Sequence, residues 1–340
     1  MISFLNDYSE GAHPHIFDML KESSFEQNAG YGLDIHSDRA KEYIKRELKR
    51  DDVDIHFIPG GTQTNLLAIS SFLRPHQCVI AAETGHINVH ETGAIEATGH
   101  KVVTKATVDG KLTPELVIEA VEFHTDEHMV MPKMVYISDS TELGTVYTKA
   151  ELKTLHEVCR QKGLILYMDG ARLGSALTSK FNDLTMADIA ELTDAFYIGG
   201  TKNGALLGEA LVICKDELKE DFRYLIKQRG AMLAKGFVTG IQFEALFKDK
   251  LFYELASHAN TMAEKIADAL IGLGYKFYAM PCSNQLFPIL PNDKLDKLAK
   301  DFLFSYQAKI DNDHSVIRLV TSWATTKEHV DRLIKAIESL

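Results

Sequence analysis

Lys202 stands alone among small residues in Gly199-Gly200-Thr201-Lys202-Asn203-Gly204, with apolar runs Ala195–Ile198 and Ala210–Ile213 on either side. Two strand-like segments joined through a glycine-flanked lysine leave one amine where backbone approaches closely and few side chains crowd it. Desolvation there lowers the amine's pKa towards the working pH, which makes Lys202 a candidate Schiff-base nucleophile. A hairpin turn carrying a solvated lysine is the plain alternative.

Further residues with chemical potential follow a strand-end pattern. Phe57-Ile58-Pro59-Gly60-Gly61-Thr62 runs from a strand end through two glycines into a helix. Unpaired N–H groups and a positive dipole end make such a start a phosphate cradle, to which Thr62 adds a hydroxyl. No Lys-Ser/Thr follows and no G-x-G-x-x-G is present, so neither nucleotide-loop signature applies. A simply capped helix after a turn also fits. Leu164-Ile-Leu-Tyr-Met-Asp169-Gly170-Ala171-Arg172 places an acid at the carboxyl end of an apolar strand, a ligand-facing position in a parallel sheet. A carboxylate there suits the protonated ring nitrogen of pyridoxal phosphate. Arg172 either pairs Asp169 or faces an anion.

The histidines offer competing readings. His86 follows the strand Cys78–Ala82 and suits stacking on a flat ring, or simply lies at the surface. His90, four residues on, gives metal-pair spacing without an evident third ligand. His124-Thr-Asp-Glu-His128 matches the inverted zinc-peptidase signature, but Met131-Pro132 stops the helix that such a site requires. His128 stays a candidate base. Arg318, on a strand near the end of the chain, suits bidentate capture of a carboxylate or faces outward. The loop Gln228-Arg229-Gly230-Ala-Met-Leu-Ala-Lys235-Gly236 offers cations to a phosphate, in its own subunit or a neighbour's.

These residues need a scaffold, and the pattern predicts one. Strand-like runs at Ile55–Ile58, Cys78–Ala82, Lys101–Lys105, Met134–Ser138, Leu164–Asp169 and Ala195–Ile198 alternate with helical stretches. The helices are Thr62–Phe72, Asn88–Thr98, Pro114–Phe123 and Lys149–Lys162, after earlier ones at His15–Ser24 and Ser37–Arg50. Strand, helix, strand with short linkers means parallel crossovers, hence an α/β sheet covered on both faces. Residues 1–245 are expected to form an N-terminal segment and large domain. Residues 246–340 are expected to form a smaller α+β domain, with helices Phe252–Gly272 and Lys327–Ser339 and strands near Phe277, Leu286–Leu290, Tyr306–Ile310 and Val316–Thr321.

Taken in order, these elements resemble the threonine aldolase and β-eliminating lyase family of fold-type I pyridoxal-phosphate enzymes. The resemblance spans nearly the whole chain. Its most specific pieces are Gly60-Gly61-Thr62-Gln63-Thr64-Asn65-Leu66-Leu67-Ala68, Asp169-Gly170-Ala171-Arg172 and Arg318-Leu319-Val320-Thr321. It implies a fold-type I architecture and cleavage of L-threonine or L-allo-threonine to glycine and an aldehyde. Another pyridoxal-phosphate reaction, β-elimination or transamination, is the alternative. By this resemblance Lys202 carries the internal aldimine, Asp169 holds the pyridine nitrogen and His86 stacks on the ring. Gly61, Thr62 and Lys235 serve the phosphate. Arg172 and Arg318, with Ser9, receive the substrate carboxylate, Arg172 also bordering the cofactor. His128 falls near the β-hydroxyl, so the proton there goes to His128, to His86 or to an ordered water. The resemblance also implies a dimer or tetramer with active sites near the subunit interface.

Departures from the family are local. The usual Ser-Lys-Gly-Leu-Gly-Ala-Pro is here Thr201-Lys202-Asn203-Gly204-Ala205-Leu206, and the usual Glu-Asn-Thr-His is Ser138-Asp139-Ser140-Thr141-Glu142. The cation-rich Arg-Lys-Met loop is Gln228-Arg229-Gly230. Substrate choice, more than cofactor binding, is what these changes touch.

Composition excludes other classes. The net charge of −11 is spread without a basic run, against nucleic acid or anionic membrane as partner. No run approaches the ~18 apolar residues of a membrane span. The N-terminus lacks the basic and apolar regions of a signal peptide. Four cysteines far apart in sequence, without metal spacing, suit buried thiols in a reducing cytoplasm.

Overall fold

The computed structural model describes residues 1–339. After a short N-terminal strand, β1 (Ile2–Ser3), come β2 (Asp54–Ile58), β3 (Gln77–Ala82), β4 (Lys101–Lys105), β5 (Met131–Ser138), β6 (Ile165–Asp169), β7 (Ala195–Gly199) and β8 (Glu209–Ile213). The last seven form one sheet in the order β2-β8-β7-β6-β5-β3-β4. Pairing is parallel from β4 through β7, as expected from the crossovers, whereas β8 runs antiparallel to both its neighbours. The β7–β8 connection is therefore a hairpin, and Lys202 sits within it.

Alternation along the strands explains why they read as unbroken apolar runs. Ile80, Val135, Ile137, Leu166 and Met168 enter one core; Val79, Met134, Tyr136, Ile165 and Tyr167 enter the other. Both faces are covered by helices, so neither set is polar. The Lys149–Lys162 helix starts on a Thr148/Glu151 capping box and stops at Gly163, whose φ is 65°. The expected helix over Asn88–Thr98 is instead a single turn, His86–Val89, and a 3-10 turn, Glu96–Thr98. Thr92 and Gly93 at positive φ interrupt it.

The remaining strands, β9 (Lys276–Phe277), β10 (Gln285–Leu286), β11 (Pro288–Pro291), β12 (Phe302–Leu303), β13 (Ser305–Lys309) and β14 (His314–Val320), form the smaller body with the Leu251–Gly272 and Lys327–Glu338 helices. The run expected as one strand over Leu286–Leu290 is two, both paired to β14. A division between residues 245 and 246 is our proposal for most of the chain, but the first residues cross it. β1 pairs with β12, and Phe4 is buried with Ile2 and Phe302 in the small core.

Candidate active site

The carboxyl ends of β2, β3, β5, β6 and β7 open at one edge, as the open-sheet rule expects. Two adjoining cavities of about 300 and 490 Å³ lie there, sharing Tyr8, His86, Glu142, Arg172 and Lys202. The first reaches Gly60, Gly61, Thr62 and Asp169; the second reaches His90, Gln307 and Arg318.

Lys202 lies between β7 and β8, in a turn closed by Asn203 and Ala205 N–H groups donating to the Gly200 carbonyl at 2.9 and 3.0 Å. Gly204 has φ 88°, a left-handed backbone that favours glycine, and a Cβ there would also push Leu255 Cδ1 aside. The lysine is half-buried and faces the cavities. Burial, reinforced by the Arg172 charge, lowers its pKa against the pull of Asp7, Asp169 and Glu209. Beneath it the buried Glu209 accepts the Gly200 N–H at 3.0 Å, and burial raises its carboxyl to about 8.

Asp169 ends β6 and is enclosed by donors. Tyr136 O–H donates to it at 2.6 Å, Asn65 Nδ2 at 2.9 Å and Ala171 N–H at 3.0 Å, with Tyr197 O–H as a further donor. Burial alone would raise its pKa, yet His86 and the hydrogen bonds outweigh this and lower it. Asp169 is thus held ionised at the cavity wall. Asn65 also donates to Glu91 Oε1 at 2.8 Å, and the same oxygen lies 2.8 Å from His86 Nδ1. His86, Glu91, Asn65 and Asp169 form one connected chain.

The Gly61–Phe72 helix begins at Gly60 with no side-chain cap, so its first N–H groups face the first cavity without a protein partner. At the opposite end, Arg318 Nε is buried without a partner, and Nη2 makes only a 3.5 Å bond to the Leu5 carbonyl. Arg172 pairs Asp7, not Asp169: Nε and Nη2 reach its two oxygens at 2.7 and 3.0 Å. The cavity therefore runs from an anion cradle, past an amine and a fixed carboxylate, to a free guanidinium.

The chain is similar to known proteins. A sequence profile of the β-eliminating lyase family matches residues 18–289. The chain belongs to the β-eliminating lyase family. Within it, the chain is 30% identical over 343 residues to the low-specificity L-threonine aldolase of Pseudomonas aeruginosa, covering 98% of this chain and 96% of that one. A solved structure of threonine aldolase from Leishmania major is 51% identical, with TM-score 0.98 over 100% of this chain and 99% of that one. Aspartate aminotransferase of Thermus thermophilus, at 14% identity, covers 100% of this chain and 91% of its own with TM-score 0.73, a likeness of fold.

In this family member the structure gathers Gly61, Thr62, His86, Asp169, Arg172, Lys202 and Arg318 around the two cavities. Three expected residues stay outside. His128 is exposed on the turn before β5, where its N–H donates to Asp126. That turn precedes the amino end of β5, and the cavities lie at the carboxyl ends. Ser9 is exposed and donates to Asn6; Tyr8 lines the cavity in its place. Lys235 is exposed, and what its loop brings to the Gly61–Phe72 helix is the Arg229 carbonyl, which accepts from Gln63. The helix that the zinc alternative needs stops before His128. His124 caps the end of its helix, and no group of three metal-type ligands occurs among the described residues. Sequence reasoning missed Asp7, Asn65, Glu91, Tyr136, Tyr197 and Glu209. Two carried a signal: Asn65 stands in the quoted Gly60–Ala68 segment, and Glu209, opposite Gly199 across the hairpin, is a charge opening an apolar strand.

Proposed function

We propose that the chain cleaves L-threonine, L-allo-threonine and related β-hydroxy-α-amino acids to glycine and an aldehyde, using pyridoxal 5′-phosphate held covalently by Lys202. The carrying observation is Lys202 between an ionised, fourfold hydrogen-bonded Asp169 and an unpaired Arg318 along one cavity. The donor set fits that cofactor. Uncapped N–H groups at Gly61 and Thr62 suit a phosphate, and an ionised carboxylate suits a ring N–H. When bound, the cofactor supplies a sink for the electron pair released at Cα.

This chain's own residues do the rest. Asp169, held ionised, would keep a ring-nitrogen proton in place, and His86, braced by Glu91, would flank the ring. Arg318 binds the substrate carboxylate and fixes which bond at Cα is presented; Arg172 holds the N-terminal segment across the opening through Asp7. Lys202 would hold the cofactor, and its lowered pKa suits its amine to take and return protons near Cα. The exposed Phe17, Phe25, Leu33 and Ile35 support a homo-oligomer, in which Lys235 is left to a neighbouring subunit's phosphate. Free, buried Cys78, Cys159 and Cys214 support a cytoplasmic enzyme.

The purified protein is expected to absorb in the visible and to release glycine and acetaldehyde from threonine. Lys202→Ala should lose that band while keeping its far-ultraviolet circular dichroism. A retained band, or pyruvate and ammonia as products, counts against the reading.

A further inference from the structure

Glu142 occupies a position that the proposed chemistry has not yet used. It follows β5 in the segment Ser138-Asp139-Ser140-Thr141-Glu142, is half-buried, and lines both cavities beside Lys202, His86 and Arg172. Its two oxygens are differently placed. Oε1 is fixed by two donors, the Ser138 hydroxyl at 2.7 Å and the His86 backbone N–H at 2.9 Å. Oε2 has no hydrogen-bond partner, yet it is not among the sealed, unpartnered buried atoms, which include Glu91 Oε2. A carboxylate anchored through one oxygen thus presents the other to the open cavity.

We propose that Glu142 Oε2 takes the β-hydroxyl proton during Cα–Cβ cleavage. This rests on the cleavage reading above. The substrate O–H bond breaks and an Oε2–H bond forms; the O–H electron pair becomes the second C–O bond of the aldehyde. The Cα–Cβ pair would be held by the cofactor and end in a Cα–H bond, formed with a proton that Lys202 returns; the Oε2 proton leaves to solvent, which restores the carboxylate and gives glycine. Charges balance without any oxidant or metal.

The surroundings favour a carboxylate that is a stronger base than usual. Burial raises the Glu142 pKa, with Asp169 adding to the shift against the Ser138 and His86 hydrogen bonds. Other titratable groups facing it are Tyr136 on β5, Tyr147 on the following loop, Arg172 after β6, Lys202 on the hairpin, the His86 ring and Tyr8. His86 is a weaker candidate, since its Nδ1 is engaged by Glu91. His90 also borders the second cavity, but it is exposed at the mouth.

The test compares holoenzyme forms of wild type, Glu142→Gln and Glu142→Asp in threonine cleavage from pH 5 to 9. Glycine binding is followed by the change in visible absorption. Glu142→Gln keeps an acceptor for Ser138 and His86, so the visible band and the glycine Kd are expected to be unchanged. Its kcat/KM for threonine should fall on the order of 10²–10⁴-fold. The acid limb of the wild-type profile should disappear. Glu142→Asp, which decides the matter should Glu142→Gln lose its band, is expected to keep that limb at reduced kcat. An unchanged limb and rate in Glu142→Gln, or a missing limb in Glu142→Asp, overturns the assignment to Glu142 alone. A wild type that responds to glycine but forms no aldehyde from threonine overturns the cleavage reading, and this one with it.

Discussion

Arg318 and Arg172 are both cations on one cavity, and their surroundings separate their roles. Arg172 has spent its fork on Asp7, whereas Arg318 retains a buried donor without a partner. Loss of a charge-assisted carboxylate contact is worth about 1.5–3 kcal/mol, so Arg318→Ala should raise the threonine KM about 10–100-fold with the visible band intact. Steady-state kinetics check this. Asp7→Ala acts differently, because it strands a buried guanidinium. Urea unfolding should show a loss of roughly 3–5 kcal/mol. The wild-type pair also sets an acid limit. Burial opposes ionisation of Asp7, but Arg172 and Lys202 outweigh it and lower the pKa. That stability is present above the ordinary carboxylate range and lost as pH falls through the lowered value. The residues legible in the sequence, Lys202, Asp169, Gly61 and Thr62, sit at strand ends marked by glycine. Asp7, Glu91 and Tyr136 were not legible, because their roles come from partners distant in the chain. Arg172 is 165 positions from Asp7, and no local pattern records that pairing. His128 was placed by resemblance alone, and it precedes the amino end of β5, the end opposite the cavities.

At the scale of elements, the turn after β6 approaches β7 so closely that a side chain is excluded. A Cβ at Gly170 would stand within 1.9 Å of the Tyr197 carbonyl oxygen, a backbone atom that cannot swing aside. Gly170→Ala should therefore cost about 1–3 kcal/mol or more by chemical denaturation, and should misplace Asp169. The loop after β5 holds a second constraint. Asp139 is buried, accepts only a 3.4 Å bond from the Tyr147 N–H, and has its pKa raised by burial to about 8. A group that binds its proton more tightly when folded stabilises the fold at low pH and loses that contribution as pH rises towards the folded value. Between about pH 4 and 8 the Tm should decline, and Asp139→Asn should flatten that decline in scanning calorimetry. The strands were legible from their apolar runs, because both faces of the sheet are covered. The Phe237–Lys248 helix escaped notice because it is apolar on nearly every side and so lacks a helical period. The Asn88–Thr98 segment misled in the opposite way. Its helical composition is overruled where Glu91 turns inward to reach Asn65 and His86.

On the scale of the whole molecule, the exposed Phe17, Phe25, Tyr31, Leu33 and Ile35 gather in one stretch of sequence. That stretch abuts the Lys235 loop, where Tyr31 N–H donates to the Ala234 carbonyl at 3.1 Å. Analytical ultracentrifugation should give a multiple of the chain mass, and Phe25→Asp with Leu33→Asp should shift it towards the single chain. The clasp of β1 on β12 has a further consequence, one of timing. Ile2 pairs with Phe302, and the Phe4 carbonyl accepts the Val320 N–H at 2.8 Å. At roughly 5–20 residues per second of synthesis, the first residues wait on the order of 15–60 s for those partners. Until then Asp7 has no anchor beside Arg172, and the cavity lacks one wall. A ribosome-bound chain can complete its large sheet, but it cannot become an enzyme before its last strand emerges.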